Sequence, residues 1–490
     1  MTDSPTPDLP VIVHMERALY DLAARLSTAP DQPTLRRLCE HLHGLDPYDR
    51  DRIAPYQLAE RLGLTRRLAV DLCVIAARAG LLEISYQVFC LGCGAAEYDY
   101  GVLDQVVSGA YFCTVCRRER PADLDDRVEV IFRLSAALGH VRPDPYVDLQ
   151  AYRRRYFSPH LHFSEPVASA LAAGLRGFLA LAPGERATVR LELLEGRSLQ
   201  VLALDAHLVA QIEADHRGDG PREAALHLSA VGIDPPHQHA APGQLTLHLE
   251  NQRDRKIGVI LRCVDWERVA ALYREHPPTV DPYLSARDLL THQRFVELFG
   301  ASASLPELRL QIQRLTLLFT DLRGSTRFYL DRGDFDAYYV VREHFALLQG
   351  IVRARGGAVV KTMGDAVMAV FADPRDAVAA ALDMQEAWSP WSASGLPGLK
   401  AGVHHGPALV VNSDGRYDYF GQSVNHAAAL QALADGGDIY LSEPVLEASR
   451  VREEIDARRH NIEPRELALK GQQAPSLVYR VHQRGGPPAS

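Results

Sequence analysis

The stretch from Leu315 to Phe371 constrains this chain more than any other part of it. Leu315-Thr-Leu-Leu-Phe-Thr320 is a run of the kind that fills a buried strand, and Asp321 stands at its end. Phe335, Tyr338, Val341, Phe345, Leu348 and Val352 recur at helical spacing and read as the core-facing stripe of a long helix. Gly356-Gly357 then introduces Ala358-Val-Val-Lys-Thr-Met-Gly-Asp-Ala-Val-Met-Ala-Val-Phe371, two strand runs meeting at a tight Met363-Gly364-Asp365 turn. Strand, helix and hairpin in this order predict an α/β layer from which two carboxylates project. Asp321 and Asp365 lie 44 positions apart, a separation that strand, helix and strand can fold back upon, so that both grip the same pair of cations. Two hard carboxylates with few other ligands suit Mg²⁺ or Mn²⁺, which complete their shells with water and substrate phosphates. Gly324 permits close backbone approach, and Ser325 or Thr326 can cap the following helix, leaving N–H groups to receive phosphate oxygens. Each aspartate alone is an ordinary turn residue; the shared context points to a metal-phosphate ligand.

With 490 residues the chain has room for about three domains. Residues 1–88 read as a helical unit, with apolar residues at three and four spacing from Val11 to Leu82 between the turn signals Pro30-Asp31, Gly44 and Asp46-Pro47. Within it, Tyr56-Gln-Leu-Ala-Glu-Arg-Leu-Gly-Leu-Thr65 and the run Leu68 to Leu82 have the form of a helix-turn-helix entering a winged-helix wing. From Asp49 to Glu83 there are six arginines against five acids, too small an excess for the phosphate contacts that dominate DNA affinity. A protein-contact or dimer-forming role therefore ranks above DNA binding.

Residues 89–120 carry Cys90-Leu-Gly-Cys93 and Cys113-Thr-Val-Cys116 with nineteen residues between them, inside the zinc-ribbon window. Two such knuckles present four thiolates to one structural Zn²⁺, which staples a unit with little core of its own. Buried free thiols are the bland alternative. Residues 121–282 hold short alternating runs, Val128 to Leu134, Thr188 to Leu193, Gln200 to Leu204, Glu223 to Val231, Gln244 to Glu250 and Lys256 to Val264, which predict a β-sandwich-like middle domain. Its His160, His162, His237 and His239 offer a ligand or pH-sensing surface, or are bystanders. Residues 283–310 form a linker in which Ser285 to Phe299 reads as one helix; residues 311–484 make the α/β domain and 485–490 a tail.

Lysines and arginines number 53 against 62 acids, a net charge of −9, so no global basic field exists to hold nucleic acid or an anionic membrane. The longest apolar stretch, Val167 to Ala182, is short and carries Arg176, and Thr2 to Pro10 lacks a basic stretch followed by an apolar one. Neither a secretion signal nor a membrane span is expected, and the surface reads as that of a cytoplasmic protein.

Four motifs occur in order: Phe319-Thr-Asp-Leu-Arg-Gly-Ser-Thr326, Lys361-Thr-Met-Gly-Asp365, Gly402-Val-His-His-Gly406 and Tyr417-Asp-Tyr-Phe-Gly-Gln-Ser-Val-Asn425. Together they resemble the class III nucleotidyl cyclase catalytic domain, over about Gln311 to His482. The part before it, with its paired cysteines and Leu245-Thr-Leu-His-Leu-Glu-Asn251, looks like the regulatory half of certain bacterial cyclases. The resemblance implies a ferredoxin-like α/β domain closing an α+β multidomain chain. It also implies a reaction in which the 3′-hydroxyl of a nucleoside triphosphate attacks its own α-phosphate and expels pyrophosphate, with two Mg²⁺ or Mn²⁺ per active site. Asp321 and Asp365 match the metal carboxylates, Lys400 and Lys470 the phosphate-facing lysines, and Asn425 the catalytic asparagine that orients the ribose. Lys361 and Asp418 match the base-reading pair; a donor ammonium beside an acceptor carboxylate complements adenine, which favours ATP. In the family these groups come from opposite protomers of a head-to-tail dimer, so a homodimer is implied. Tyr417 and Tyr419 read as sheet and dimer packing.

One position departs from the pattern. Four residues after Asn425, where the family places an arginine that neutralises the reacting phosphate, this chain has Ala429. Loss of such a donor typically lowers the rate by about 10²- to 10³-fold. Three functions follow as expectations: an adenylate cyclase of low activity, a catalytically degenerate nucleotide-binding sensor, and a DNA-binding regulator acting through the winged-helix-like segment.

Overall fold

Local capping chemistry sets the first helices. Asp31 accepts from the Thr34 amide at 2.7 Å and Asp46 from the Tyr48 and Asp49 amides, so α1 (Leu9–Ala23) is followed by α2 (Gln32–Gly44) and α3 (Pro47–Asp51) with defined starts. Gly63, at φ +60°, ends α4 (Pro55–Leu62) in the left-handed region that favours glycine, and the Thr65 hydroxyl caps α5 (Arg66–Arg78). The computed structural model describes residues 9–483 apart from 27, 101–108, 123–124, 126, 216–219, 301–309, 394–395, 414–415 and 469–474.

β1 (Leu82–Phe89) pairs on one side with β2 (Ala96–Tyr100); the hairpin of β3 (Gly109–Cys113) and β4 (Arg118–Ala122) follows, and β5 (Val128–Leu134) closes the other side of β1. The Val128 to Leu134 run, expected in the sandwich, thus belongs to the sheet that abuts the helical unit. Both its faces are buried, a condition that period-two alternation does not reveal.

α6 (Leu149–Tyr156), β6 (Leu161–His162) and α7 (Glu165–Ala173) lead into two facing sheets. Their strands are β7 (Leu175–Leu181), β8 (Arg186–Leu193), β9 (Ser198–Ala203), β10 (Leu208–Ala214), β11 (Glu223–Leu228), β12 (Ile233–Asp234), β13 (His237–Ala240), β14 (Gly243–Asn251) and β15 (Ile257–Val264). One sheet runs β13-β10-β9-β15-β7 and the other β12-β11-β14-β8, with Leu191, Val201, Ile212, Leu247 and Val259 among the side chains sealed between them. α8 (Trp266–Glu275) and the short β16 (Thr279–Val280) follow.

The expected linker helix is two helices, α9 (Ala286–Leu290) and α10 (Gln293–Phe299). The break has a local cause: the Thr291 hydroxyl donates back to the Arg287 and Asp288 carbonyls, and His292 turns to extended backbone while its ring binds Asp71 of α5 at 2.9 Å.

The last domain is built on β17 (Leu310–Leu322), followed by α11 (Ser325–Arg332), α12 (Asp334–Ala354), the hairpin β18 (Ala358–Met363) and β19 (Ala366–Phe371), and α13 (Pro374–Ala393). β20 (Leu399–Ser413), β21 (Arg416–Phe420), α14 (Gln422–Leu433), β22 (Asp438–Ser442), α15 (Glu443–Leu446), α16 (Val451–Ala457), β23 (His460–Leu467) and β24 (Ser476–Gln483) complete it. The sheet order is β18-β19-β17-β20-β22-β24-β23, with β21 paired to β20. Alternate residues of β17 serve different layers, as the strand period requires. Leu318 and Leu322 pack with α12 and α13, whereas Leu315, Leu317 and Phe319 join a core continuous with Phe295, Leu289 and Leu290 of the amino-terminal part.

The stripe expected on α12 is core only in its second half. Leu348 and Val352 are buried, but Phe335 is 73% and Tyr338 63% exposed. Periodicity identifies an apolar face without saying what covers it. No described helix is long and apolar enough to cross a membrane.

Candidate active site

The strand that begins at Leu310 carries Asp321 to its carboxyl end, inside the sheet between β19 and β20, and the β18–β19 turn carries Asp365 back beside it. The Asp365 carboxylate accepts from the Leu322 amide at 3.2 Å, which anchors the turn to the end of β17. Gly364, at φ +65°, makes that turn possible. Burial first, and then the adjacent Asp365 charge, hold the Asp321 carboxyl above the usual carboxylate range, against the opposing pull of Lys400. Two like charges brought together in a partly desolvated place form a site that a cation relieves. Lys400 stands opposite Asp321 in the β17–β20 ladder and reaches the Ala432 carbonyl at 3.5 Å.

Gly324, at φ +69°, precedes Ser325 and Thr326, which open α11 immediately after the strand bearing Asp321. These three residues therefore adjoin the carboxylate pair. Lys361 lies on β18, two residues before that strand ends at Met363 and turns through Gly364 to Asp365. Its ammonium donates to both oxygens of Asp418, at 2.9 and 2.6 Å, joining β18 to β21. Asn425 sits in the first turns of α14 with its side chain exposed. Lys470 lies outside the described residues.

Ala429 is half-buried at the edge of a small apolar cluster that holds Leu430, Leu433, Leu467, Tyr440 and Val478. No cation stands on α14 to replace the absent arginine; instead Gln431 of that helix reaches the Asp321 carboxylate at 3.4 Å. His426 packs edge-on against His404 at 5.1 Å, while His405 binds the Thr316 hydroxyl at 2.9 Å. The adjacent histidines of the Gly402 to Gly406 motif thus serve different neighbours.

Sequence reasoning missed several of these residues. Gln431 carries no motif signal. His344 of α12, fully buried against Trp388 and beside the Asp365 turn, is pushed down to about 4 by burial and is neutral at physiological pH. The largest omission is the docking of α9 and α10 on the strands that carry Lys361 and Asp418. The Val359 amide donates to Gln293 Oε1 at 2.7 Å, the Tyr419 hydroxyl donates to the Leu290 carbonyl at 3.1 Å, and the Tyr417 and Phe295 rings stack at 5.8 Å. Tyr417 and Tyr419, expected in sheet and dimer packing, bind helices of their own chain. α5 packs on α10 as well, and its Ala69, Val70 and Leu72 to Ala76 are buried. Arg66 and Arg78, at the two ends of that helix, remain exposed.

A family model described as a family of unknown function (DUF5939) matches residues 26–297, more than half of the chain. A second, described as the adenylate and guanylate cyclase catalytic domain, matches residues 309–482. An uncharacterized protein of Mycobacterium tuberculosis is 34% identical over 146 residues, covering 29% of this chain and 34% of that protein. An adenylate cyclase of Anabaena cylindrica is 26% identical over 187 residues, covering 34% of this chain and 37% of the relative. The chain thus spans about a third of the length of these curated relatives. Among solved structures, the adenylyl cyclase CyaB from P. aeruginosa matches at 23% identity and a TM-score of 0.31, over 37% of this chain and 100% of that one. With four motifs in order on one sheet and this family match, the chain belongs to the DUF5939 family and carries at its carboxyl end a class III nucleotidyl cyclase catalytic domain.

Proposed function

We propose that the carboxyl-terminal domain is an adenylate cyclase that forms 3′,5′-cyclic AMP and pyrophosphate from ATP in a homodimer, at a rate limited by Ala429. The approach of Asp321 to Asp365 carries this reading. The donor set fits Mg²⁺ or Mn²⁺: both groups are hard oxygens, and burial together with the neighbouring Asp365 charge raises Asp321. When bound, two such ions would activate the 3′-hydroxyl and neutralise the triphosphate.

The chain's own residues bind and orient. Lys361 offers a donor and Asp418 an acceptor to the base edge, the complement of adenine's N1 acceptor and N6 donor. Their mutual ion pair is the resting form, which a base divides. Lys400 faces the phosphates, and the amides after Gly324 receive phosphate oxygens. The 3′-oxygen forms a bond to the α-phosphorus as the bond from that phosphorus to the bridging oxygen breaks; the hydroxyl proton leaves to solvent and the electron pair departs with pyrophosphate. Exposed Leu330, Phe335, Tyr338 and Phe420 supply apolar surface for a second copy.

Product analysis after incubation with ATP, GTP, CTP and UTP in Mn²⁺ tests this reading. Cyclic AMP is the expected product, at least tenfold over the others for a site that pairs both base-edge groups; no cyclic nucleotide from any of the four removes it. A second reading, favoured by Ala429, is a degenerate domain that binds nucleotide and transmits occupancy through α10. That reading predicts nucleotide binding without turnover.

The four cysteines of the ribbon segment hold one structural Zn²⁺ in this proposal. Their sulfurs all lie within 4.8 Å of one another, with Cys90 to Cys116 at 3.8 Å and Cys93 to Cys113 at 3.6 Å. Ligands about 2.3 Å from a tetrahedral centre stand about 3.8 Å apart. Elemental analysis should find one zinc per chain, and a chelator should lower the Tm; full thermal stability with no zinc would leave the four as buried thiols.

A further inference from the structure

A cavity of about 290 Å³ lies between the ribbon and the sandwich, apart from the nucleotide site and bordered at its ribbon end by Cys93. Its floor is Leu175, Leu202 and Ile260 from β7, β9 and β15, and its roof is α7 with part of α8. The space follows from the sequence of α7. Ala168 and Ala172, four apart on one helical face, line it beside Leu171, and two methyl groups do not reach the sheet. The helix is lightly held, with Val167 its one buried residue. The space is a partly open groove, with Arg153, Ala168 and Ala172 of its lining exposed. This lining is apolar over the sheet and α7.

Its polar groups are tied to the ribbon end. Arg262 donates from Nε to Gln200 Oε1 at 2.9 Å and from Nη2 to the Val115 carbonyl at 3.1 Å, with its guanidinium 4.9 Å from the centre of the Trp266 ring. The Tyr273 hydroxyl donates to the Gly92 carbonyl at 3.1 Å, and the Ser158 amide to the Gly94 carbonyl at 2.6 Å. Among the described residues no carboxylate pairs with Arg262, and exposed Arg153 at the rim has no side-chain partner. Arg262 is pushed down to about 10 by burial and is still a cation at neutral pH. The anionic neighbours of Arg262 are the Cys93, Cys116 and Cys113 sulfurs, so Arg153, at the mouth of an apolar groove, is the cation that complements a ligand with one anionic end and one oily end.

We propose that this cavity binds an amphipathic monocarboxylate, its hydrocarbon chain against α7 and the sheet and its carboxylate at Arg153. The inference concerns the DUF5939 part and is independent of turnover in the cyclase domain. Calorimetric titration of the full zinc-loaded chain with decanoate, decanol and decyltrimethylammonium tests it. Decanoate should bind saturably at one per chain, decanol about tenfold or more weakly, and the cation not at all. Ala172→Trp and Ala168→Leu fill the chamber from two positions and should each abolish decanoate binding while keeping zinc content and Tm. Arg153→Met should weaken decanoate about tenfold and leave decanol unchanged. Absence of saturable decanoate binding, equal binding of all three probes, undiminished binding in whichever chamber variant folds, or an unaltered decanoate affinity in Arg153→Met overturns the proposal.

Discussion

Replacing Ala429 with arginine should raise cyclic AMP formation by about 10²- to 10³-fold. Asn425 and Ala429 are four apart on α14 and share a face, and Gln431 of the same helix already touches Asp321 at 3.4 Å. That end of the helix therefore borders the carboxylate pair. The native methyl group rests on the apolar cluster of Leu430, Leu433 and Leu467, which gives an arginine stem a surface to lie on while its head extends beyond it. Charge and fork geometry separate in a short series. Ala429→Lys supplies a point charge and should give a smaller gain, and Ala429→Met supplies the stem alone and should give none. Rates at saturating ATP and Mn²⁺ decide the matter. A large gain from a near-zero base favours the degenerate-sensor reading of the native chain, a gain from a measurable base favours a slow enzyme, and an unchanged rate shows that phosphate neutralisation is not what limits turnover.

The meeting of Asp321 and Asp365 is legible in the sequence because every step towards it is local. A strand run ends at one residue, a Gly364 turn presents the other, and antiparallel pairing of β19 with β17 closes the distance. The Lys361–Asp418 contact was accessible only through resemblance, since 57 residues separate the two and no periodicity joins them. The position of α10 was not legible at all. Ser285 to Phe299 reads as one apolar helix, yet what matters is the break at Thr291–His292, which aims Gln293 at the Val359 amide and Phe295 at Tyr417. Burial partners are equally hidden. Val128 to Leu134 alternates no differently from a sandwich strand but pairs with β1, and Phe335 and Tyr338 share a periodic stripe with Leu348 while facing outwards. The cavity over β9 and β15 has no sequence signature, because nothing in the apolar stretch from Val167 to Ala182 marks missing volume at positions 168 and 172. One consequence joins these points: α9 and α10 tie the DUF5939 part to the strands of Lys361 and Asp418, with contacts at Val359 and Tyr419 within two residues of that pair.

On the proposed function, asparagine at either Asp321 or Asp365 should abolish turnover, and the two sites should differ in a second readout. Asp321→Asn and Asp365→Asn each remove a hard anionic ligand with almost no change of volume, and a loss of about 10³-fold or more in cyclic AMP formation is expected for a reaction that depends on charge neutralisation at phosphate. Loss of activity alone does not separate a catalytic role from misfolding, but the raised Asp321 carboxyl does. Its folded value lies above the unfolded one, so the folded state binds its proton more tightly, and ionisation at neutral pH favours unfolding. The stabilising contribution is complete below the unfolded value near 3.8 and is lost as the pH rises through the raised folded value. Asp321→Asn carries no charge at any pH. Without divalent cations it should therefore melt above the native chain at pH 7, and the difference should vanish as the pH falls towards 3.8. Saturating Mn²⁺ should reverse the order at pH 7, because only the native chain gains from binding the ion. An inactive Asp321→Asn chain that melts below the native one at pH 7 in the absence of metal would mean that the carboxylate holds the fold together, and the assignment of Asp321 to a cation would fail.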